Sequence, residues 1–223
     1  MTRIVAITGA AGALGSKTAA TLSEAGWQVV GIDLAAIGSG GLALALGGVD
    51  LTDESAMAGA ADRISEQFGR LDGLVNIAGG FRWETVTDGA VATWDRMHAM
   101  NVKTALVSSR ALLPMLRAAR GAIVNIGAAG AVKAGMGMGA YAASKAGVAR
   151  LTEALAEELK DDGIRVNAVL PSIIDTDINR ADMPDAEFDR WVTPEQLANV
   201  IAFLLSDKAS AVTGALVPVT GRM

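Results

Sequence analysis

Solid apolar runs alternate along this chain with stretches whose apolar positions recur every three to four residues. Residues Arg3 to Thr8 read Arg-Ile-Val-Ala-Ile-Thr, and similar runs return near 27–32, 47–50, 72–77, 121–127, 164–170 and 215–219. Most of them, such as Ala122-Ile123-Val124-Asn125-Ile126, lack polar alternation, which suits strands covered on both faces. Helical spacing appears between them, near 13–25, 53–68, 102–119, 141–160 and 194–205. The last helix opens with Thr193-Pro194-Glu195-Gln196, which supplies an N-cap, a proline at the first helical position and a glutamine placed for a capping box. Strand and helix in alternation imply an α/β fold, a doubly wound parallel sheet of about seven strands. No linker, repeat or low-complexity segment divides residues 1–223, so a single domain is expected.

The first strand stops at Gly9-Ala10-Ala11-Gly12-Ala13-Leu14-Gly15, and Leu14, Thr18, Leu22 and Ala25 then follow helical spacing up to Gly26. Strand, glycine turn and helix is the order a dinucleotide site requires. Small residues let the backbone approach a pyrophosphate, whose charge is met by the N–H groups at the start of the helix. The second strand ends at Asp33, 18 residues beyond Gly15. A carboxylate there binds both ribose hydroxyls and repels a 2′-phosphate, which favours NAD(H) over NADP(H).

Tyr141-Ala142-Ala143-Ser144-Lys145 places a phenol and an ammonium four residues apart, on one face of a helix in its first turn. Bringing a phenol from a pKa near ~10 to neutrality takes about 4 kcal/mol, and a neighbouring cation acts in that direction. Such a group would exchange protons near neutral pH, as the interconversion of a carbonyl and an alcohol requires.

Taken together, these residues resemble the short-chain dehydrogenase/reductase family over essentially the whole chain. Thr8-Gly9-x-x-x-Ala13-x-Gly15 matches the family's glycine motif except at Ala13, where the family has glycine. Asp50-Leu51 resembles its adenine-contacting pair, Asn76-Ile77-Ala78-Gly79 its Asn-Ala-Gly motif, and Asn101 the asparagine that holds a water against the catalytic lysine. Pro171, Ile174 and Thr176 fall where the family contacts the nicotinamide carboxamide. The resemblance implies a Rossmann-type domain that binds NAD (NADH) through Gly9, Gly12, Ala13, Leu14, Gly15, Asp33, Leu34, Asp50, Leu51, Asn76, Ala78, Gly79, Tyr141, Lys145, Pro171, Ile174 and Thr176. Its catalytic residues would be Tyr141, Lys145 and Asn101, acting on a small molecule of the carbonyl or alcohol type. A homodimer or homotetramer packed through helices 102–119 and 141–160 is also implied.

One departure stands out. The family places a substrate-binding serine 13 residues before the tyrosine, and here that position is Ala128. No serine or threonine lies between Ser109 and Ser144 to replace it. Loss of one donor to a developing oxyanion commonly costs ~10²- to 10³-fold in rate. Quinoid dihydropteridine reductase, a divergent family member, also lacks the serine. This chain resembles it in Gly12-Ala13-Leu14-Gly15, in Phe81 after Ala78-Gly79-Gly80, and in Leu170-Pro171, Asp175-Thr176, Asn179-Arg180, Met183-Pro184, Phe188 and Trp191. Dihydropteridine reduction is therefore the runner-up activity, and a nucleotide-binding protein without chemistry is the competing class.

Composition removes other classes. A net charge of -5 opposes binding to nucleic acid or an anionic membrane. Zero cysteines exclude disulfides and thiolate chemistry, and a single histidine, His98, speaks against a dedicated metal site. No signal peptide or long apolar span is apparent, so a soluble cytoplasmic protein is expected. The chain is short for the family. Gly38-Ser39-Gly40-Gly41 and Gly47-Gly48 argue against a helix between Asp33 and Asp50, and the lid after the sixth strand also reads as short. Gly135-Met136-Gly137-Met138-Gly139, Phe81, Trp83 and Trp191 are candidates for the substrate wall or for packing.

Overall fold

The computed structural model describes residues 2–223. Seven parallel strands form one sheet in the order β3-β2-β1-β4-β5-β6-β7, built from Ile4–Thr8 (β1), Gln28–Ile32 (β2), Leu44–Leu46 (β3), Gly73–Asn76 (β4), Ala122–Ile126 (β5), Arg165–Pro171 (β6) and Leu216–Val219 (β7). The order reverses between β1 and β4, and the crevice that opens there is where ligands bind in such sheets.

Because successive side chains of a strand point to opposite faces, β1 feeds two cores. Ile4 and Ala6 join α2 (Glu54–Phe68), α4 (Thr104–Ala119) and α5 (Gly139–Leu159) on one face. Val5 and Ile7 join α1 (Ala13–Glu24) and α7 (Pro194–Leu205) on the other. All five residues of β1 are buried, as are all five of β5, which is why these runs show no polar alternation. The capping box of α7 is present: the Thr193 hydroxyl accepts from the Gln196 N–H at 3.2 Å, and the Gln196 carboxamide accepts from the Thr193 N–H at 3.0 Å.

Three details differ from the sequence reading. The third strand lies at Leu44–Leu46, ahead of the expected 47–50, because the glycine pair ends it. Gly48 turns at φ +75°, and a Cβ on Gly47 would lie 2.9 Å from the Ile37 amide. The helix expected from residue 102 is preceded by α3 (Val91–His98), to which a π-helical turn, Ala99–Lys103, joins it. Only Met97 of α3 is buried, so no apolar stripe announces the helix, and His98 is exposed at its end. A short α6 (Asp177–Asp182) follows β6 where only a reduced lid was expected. Residues 33–43 form no helix between β2 and β3, as the glycines implied. Among the described residues, no helix is long and apolar enough to cross a membrane.

Candidate active site

The glycine turn after β1 leaves no room for a side chain at Gly9 or Gly15. Gly9 has φ +69°, and a Cβ there would lie 2.8 Å from the Ala78 amide nitrogen; at Gly15 it would lie 2.0 Å from the Gly9 carbonyl oxygen. The Thr8 hydroxyl ties this turn to the end of β4 by accepting from the N–H groups of Ile77 at 3.1 Å and Ala78 at 3.3 Å. Gly12 is the N-cap of α1 and supplies no side chain, so the first N–H groups of the helix are left to a ligand or solvent. Ala13, where the family has glycine, is exposed as the first residue of α1, and Leu14 behind it is buried and lines the main cavity.

Asp33, at the end of β2, faces the same turn. Its two carboxylate oxygens accept from the Ala11 and Ala35 N–H groups, each at 2.9 Å. Leu34 beside it is 66% exposed. Asp50 accepts from the Thr52 N–H and hydroxyl at 2.8 and 2.7 Å, which holds its carboxyl below the usual range, and Leu51 is buried. Of these residues, Asp33 is tied directly to the glycine turn through the Ala11 N–H.

Asn76 has a different setting. Its amide donates to Asn125 at 2.8 Å and to the Ser109 hydroxyl at 3.1 Å; Asn125 donates to the Thr152 hydroxyl at 2.9 Å, and Thr152 to the Val148 carbonyl at 2.8 Å. This buried polar thread runs from α4 through β4 and β5 to α5. The Asn76 amide nitrogen is thus part of the scaffold under the crevice, while its buried Oδ1 has no hydrogen-bond partner among the described residues. Thr176 likewise caps α6, accepting from the Asn179 N–H at 3.3 Å, while Pro171 and Ile174 line the cavity.

The cavity measures about 900 Å³ and gathers Gly79, Tyr141, Lys145 and Pro171 into one space. Tyr141 and Lys145 lie in the first two turns of α5 and share its inner face. Lys145 is 6% exposed, and its ammonium donates to the Ile126 carbonyl at 2.7 Å. The Phe81 ring meets the Tyr141 ring edge-on, with centroids 5.0 Å apart and planes at 86°. Asn101, buried in the π-helical turn, donates to Gly80 at 3.1 Å and to the Ser144 hydroxyl at 2.9 Å, and accepts from the Gly80 N–H at 2.9 Å. Ser144 in turn donates to the Tyr141 carbonyl at 2.7 Å. The Asn101 amide is therefore engaged by protein on both sides. It links the Gly79-Gly80 loop to the turn that carries the tyrosine.

Electrostatics also depart from expectation. Burial pushes the Tyr141 phenol up to about 12, and Lys145 does not offset it. Burial draws the Lys145 ammonium from 10.5 down to about 8. Both groups lose hydration, and the ammonium hydrogen-bonds a carbonyl, so the tyrosine is raised where the sequence reading expected it lowered.

Ala128 is buried where a serine was expected, and Gly127 beside it lines the cavity. Ser172 is a hydroxyl on the cavity wall, but it donates to the Thr220 carbonyl at 2.9 Å. Of the candidate wall residues, Phe81, Trp83 and Met138 face the cavity, whereas Met136 is 81% exposed and does not line it. Trp191 does not line it either: it is 4% exposed and packs on Phe188 with centroids 4.9 Å apart. Asn179 and Met183, from the segment that resembles quinoid dihydropteridine reductase, also line the cavity, as do Arg82 and Asp182, which the sequence did not single out.

Residues 9–221 match the family model described as enoyl-(acyl carrier protein) reductase. The chain is 38% identical over 95% of its length, and 91% of the relative's, to a protein named inactive 2-(S)-hydroxypropyl-CoM dehydrogenase 2 from Xanthobacter autotrophicus. It is 37% identical to cis-4-hydroxycyclohexanecarboxylate dehydrogenase from Sinomonas cyclohexanicum, over 98% of this chain and 95% of that one. The structure matches that of 3-ketoacyl-(acyl-carrier-protein) reductase from Brucella melitensis complexed with NADH at a TM-score of 0.89 and 28% identity, covering 99% and 98% of the two chains. These comparisons do not confirm the resemblance to quinoid dihydropteridine reductase. With the glycine cradle, the Tyr141–Lys145 pair and this sheet order in one molecule, the chain belongs to the short-chain dehydrogenase/reductase family of oxidoreductases.

Proposed function

We propose that the protein is an NAD(H)-dependent oxidoreductase that transfers a hydride to or from a carbonyl or alcohol carbon of a small molecule. The observation that carries this reading is the junction of the glycine cradle and the Tyr141–Lys145 pair in one crevice, with a buried lysine ammonium and an adjacent phenol lining the same cavity. The residues fit a dinucleotide: close backbone packing at Gly9 and Gly15 makes the tight strand-to-helix turn whose uncapped N–H groups suit a pyrophosphate, and the Asp33 carboxylate borders it with the polarity that ribose hydroxyls require and a 2′-phosphate opposes. Gly9, Gly12 and Leu14 would hold the pyrophosphate side, Asp33 the adenosine ribose, and Lys145 the nicotinamide ribose.

The bound nicotinamide supplies or accepts the hydride. Tyr141 gives the proton to the substrate oxygen in reduction and takes it back in oxidation. Burial keeps the phenol protonated at neutral pH, the form that donates in reduction. Asn101 and Ser144 are positioning residues that fix the turn carrying Tyr141 to the Gly79-Gly80 loop. Apolar Phe81, Trp83 and Met138 exclude water from the reacting oxygen.

A second reading, nucleotide binding without turnover, draws on Ala128 and on the inactive relative. One experiment separates them: steady-state turnover of a panel of ketones, alcohols and quinonoid dihydropterin with NADH or NAD, on the native protein and on Tyr141→Phe. Turnover by the native protein that falls at least about 10³-fold in the variant, with NADH affinity within about threefold, supports the proposal. Retained turnover rejects Tyr141 as the proton donor, and no turnover by the native protein favours the silent reading.

A further inference from the structure

Arg82 lines the cavity that contains Tyr141, yet it makes no hydrogen bond or ion pair among the described residues. The arginines after β6 are all engaged: Arg180 by Asp175, Arg190 by Glu187 and Arg222 by Asp189. The residues beside Arg82 are held on both sides. Phe81 rests edge-on against Tyr141. Trp83 lies on Gly137, where φ is +75° and a Cβ would meet the indole at 2.1 Å, and the next residue, Glu84, donates its N–H to the Gly137 carbonyl at 2.9 Å. The backbone that carries Arg82 is thereby fixed at the cavity edge, while its exposed guanidinium, engaged by no side chain or carbonyl among the described residues, is available to a ligand.

We propose that Arg82 is a specificity residue that receives an anionic oxygen-bearing group, of which a carboxylate is the simplest, on the substrate of the oxidoreductase activity proposed above, on which this inference rests. With a net charge of -5 the protein as a whole repels anions, so an anionic substrate needs a local cation. The neighbouring wall of Phe81, Trp83, Met138 and Met183 is apolar, so the ligand is an oxo acid or hydroxy acid with an apolar body, its carbonyl carbon at Tyr141 and its anionic end at Arg82. Asp182, at the end of α6, also lines the cavity, and no ion pair joins it to Arg82. A closing contact between these two residues is the rival use of the guanidinium.

The test compares kcat/KM for 4-oxocyclohexanecarboxylate and its methyl ester with NADH, in the native protein and in Arg82→Gln, Arg82→Lys and Asp182→Asn. The acid-to-ester ratio is expected to fall about 10- to 100-fold in Arg82→Gln, the range of one charge-assisted hydrogen bond, and by less in Arg82→Lys. An unchanged ratio in Arg82→Gln, or the same fall in Asp182→Asn, overturns the proposal. If the native protein turns over no member of the panel above, the functional reading fails and the anion site is read separately. Equilibrium titration of the carboxylate against the NADH complex should then be at least about tenfold tighter for the native protein than for Arg82→Gln, and equal affinities overturn the inference.

Discussion

Replacing Lys145 with Met should abolish turnover and at the same time stabilise the fold at neutral pH. The lysine is 6% exposed, and burial lowers its pKa from 10.5 to about 8. At about 1.4 kcal/mol per pH unit, the protonated amine costs the folded state about 3 kcal/mol. The sign follows from proton counts. Between about 8 and 10.5 the unfolded chain holds more protons than the folded one, so the native protein gains stability as pH rises through that window and bears the full penalty below it. Methionine has nearly the same volume and removes the charge. What is lost is the bond to the Ile126 carbonyl, about 1 to 2 kcal/mol. The variant should therefore be about 1 to 2 kcal/mol more stable near pH 7, roughly 2 to 8 °C in Tm for a domain of this size. Urea unfolding followed by tryptophan fluorescence, at several values from about pH 7 to 9.5, gives the difference directly. That range lies below the region between 10 and about 12 where the raised Tyr141 pKa itself costs stability as the pH climbs. The advantage of the variant should shrink steadily with rising pH. A difference that stays flat, or a variant less stable at neutral pH, would mean that burial of this amine is not the strain inferred from the structure.

Two further substitutions probe the crevice. Ala128→Ser should raise kcat/KM on simple ketones by about 10- to 100-fold if a missing donor limits them, as steady-state kinetics would show; an unchanged rate would indicate a site built around another kind of substrate. Asp33→Ala removes the acceptor for the Ala11 and Ala35 N–H groups and should lower the preference for NADH over NADPH by at least about tenfold in kcat/KM, and equal discrimination in the two proteins would show that Asp33 does not read the ribose.

Much of the architecture was legible because its causes are local. Residues 4–8 and 122–126 are buried throughout and contain no alternation to misread. Thr193 and Gln196 declare the start of α7 in four residues. The β3 strand was misplaced because Gly47-Gly48-Val49-Asp50 carries an apolar residue but is dominated by turn chemistry. Helix α3 escaped notice because it buries one residue only. In the site, the spacing of Tyr141 and Lys145 drew attention to them, since i and i+4 on one helix share a face, and the glycine turn and the other motifs gave that spacing its weight. The long-range partners were not encoded in any spacing: Ile126 for the ammonium, Asn125 for Asn76 and Gly80 for Asn101 meet only after the sheet has formed. The tyrosine's raised pKa has the same origin, because desolvation depends on what folds over the ring.

The thread Ser109–Asn76–Asn125–Thr152 bears on how such a protein changes its diet. It keys α5, the helix that carries Tyr141 and Lys145, to the middle of the sheet by neutral dipoles, at a point no cavity wall reaches. Segments 79–89 and 172–190 can then be exchanged, lengthened or recharged while α5 keeps its seat. New specificities become accessible by altering the rim alone, and a mutation within the thread would disturb every one of them at once.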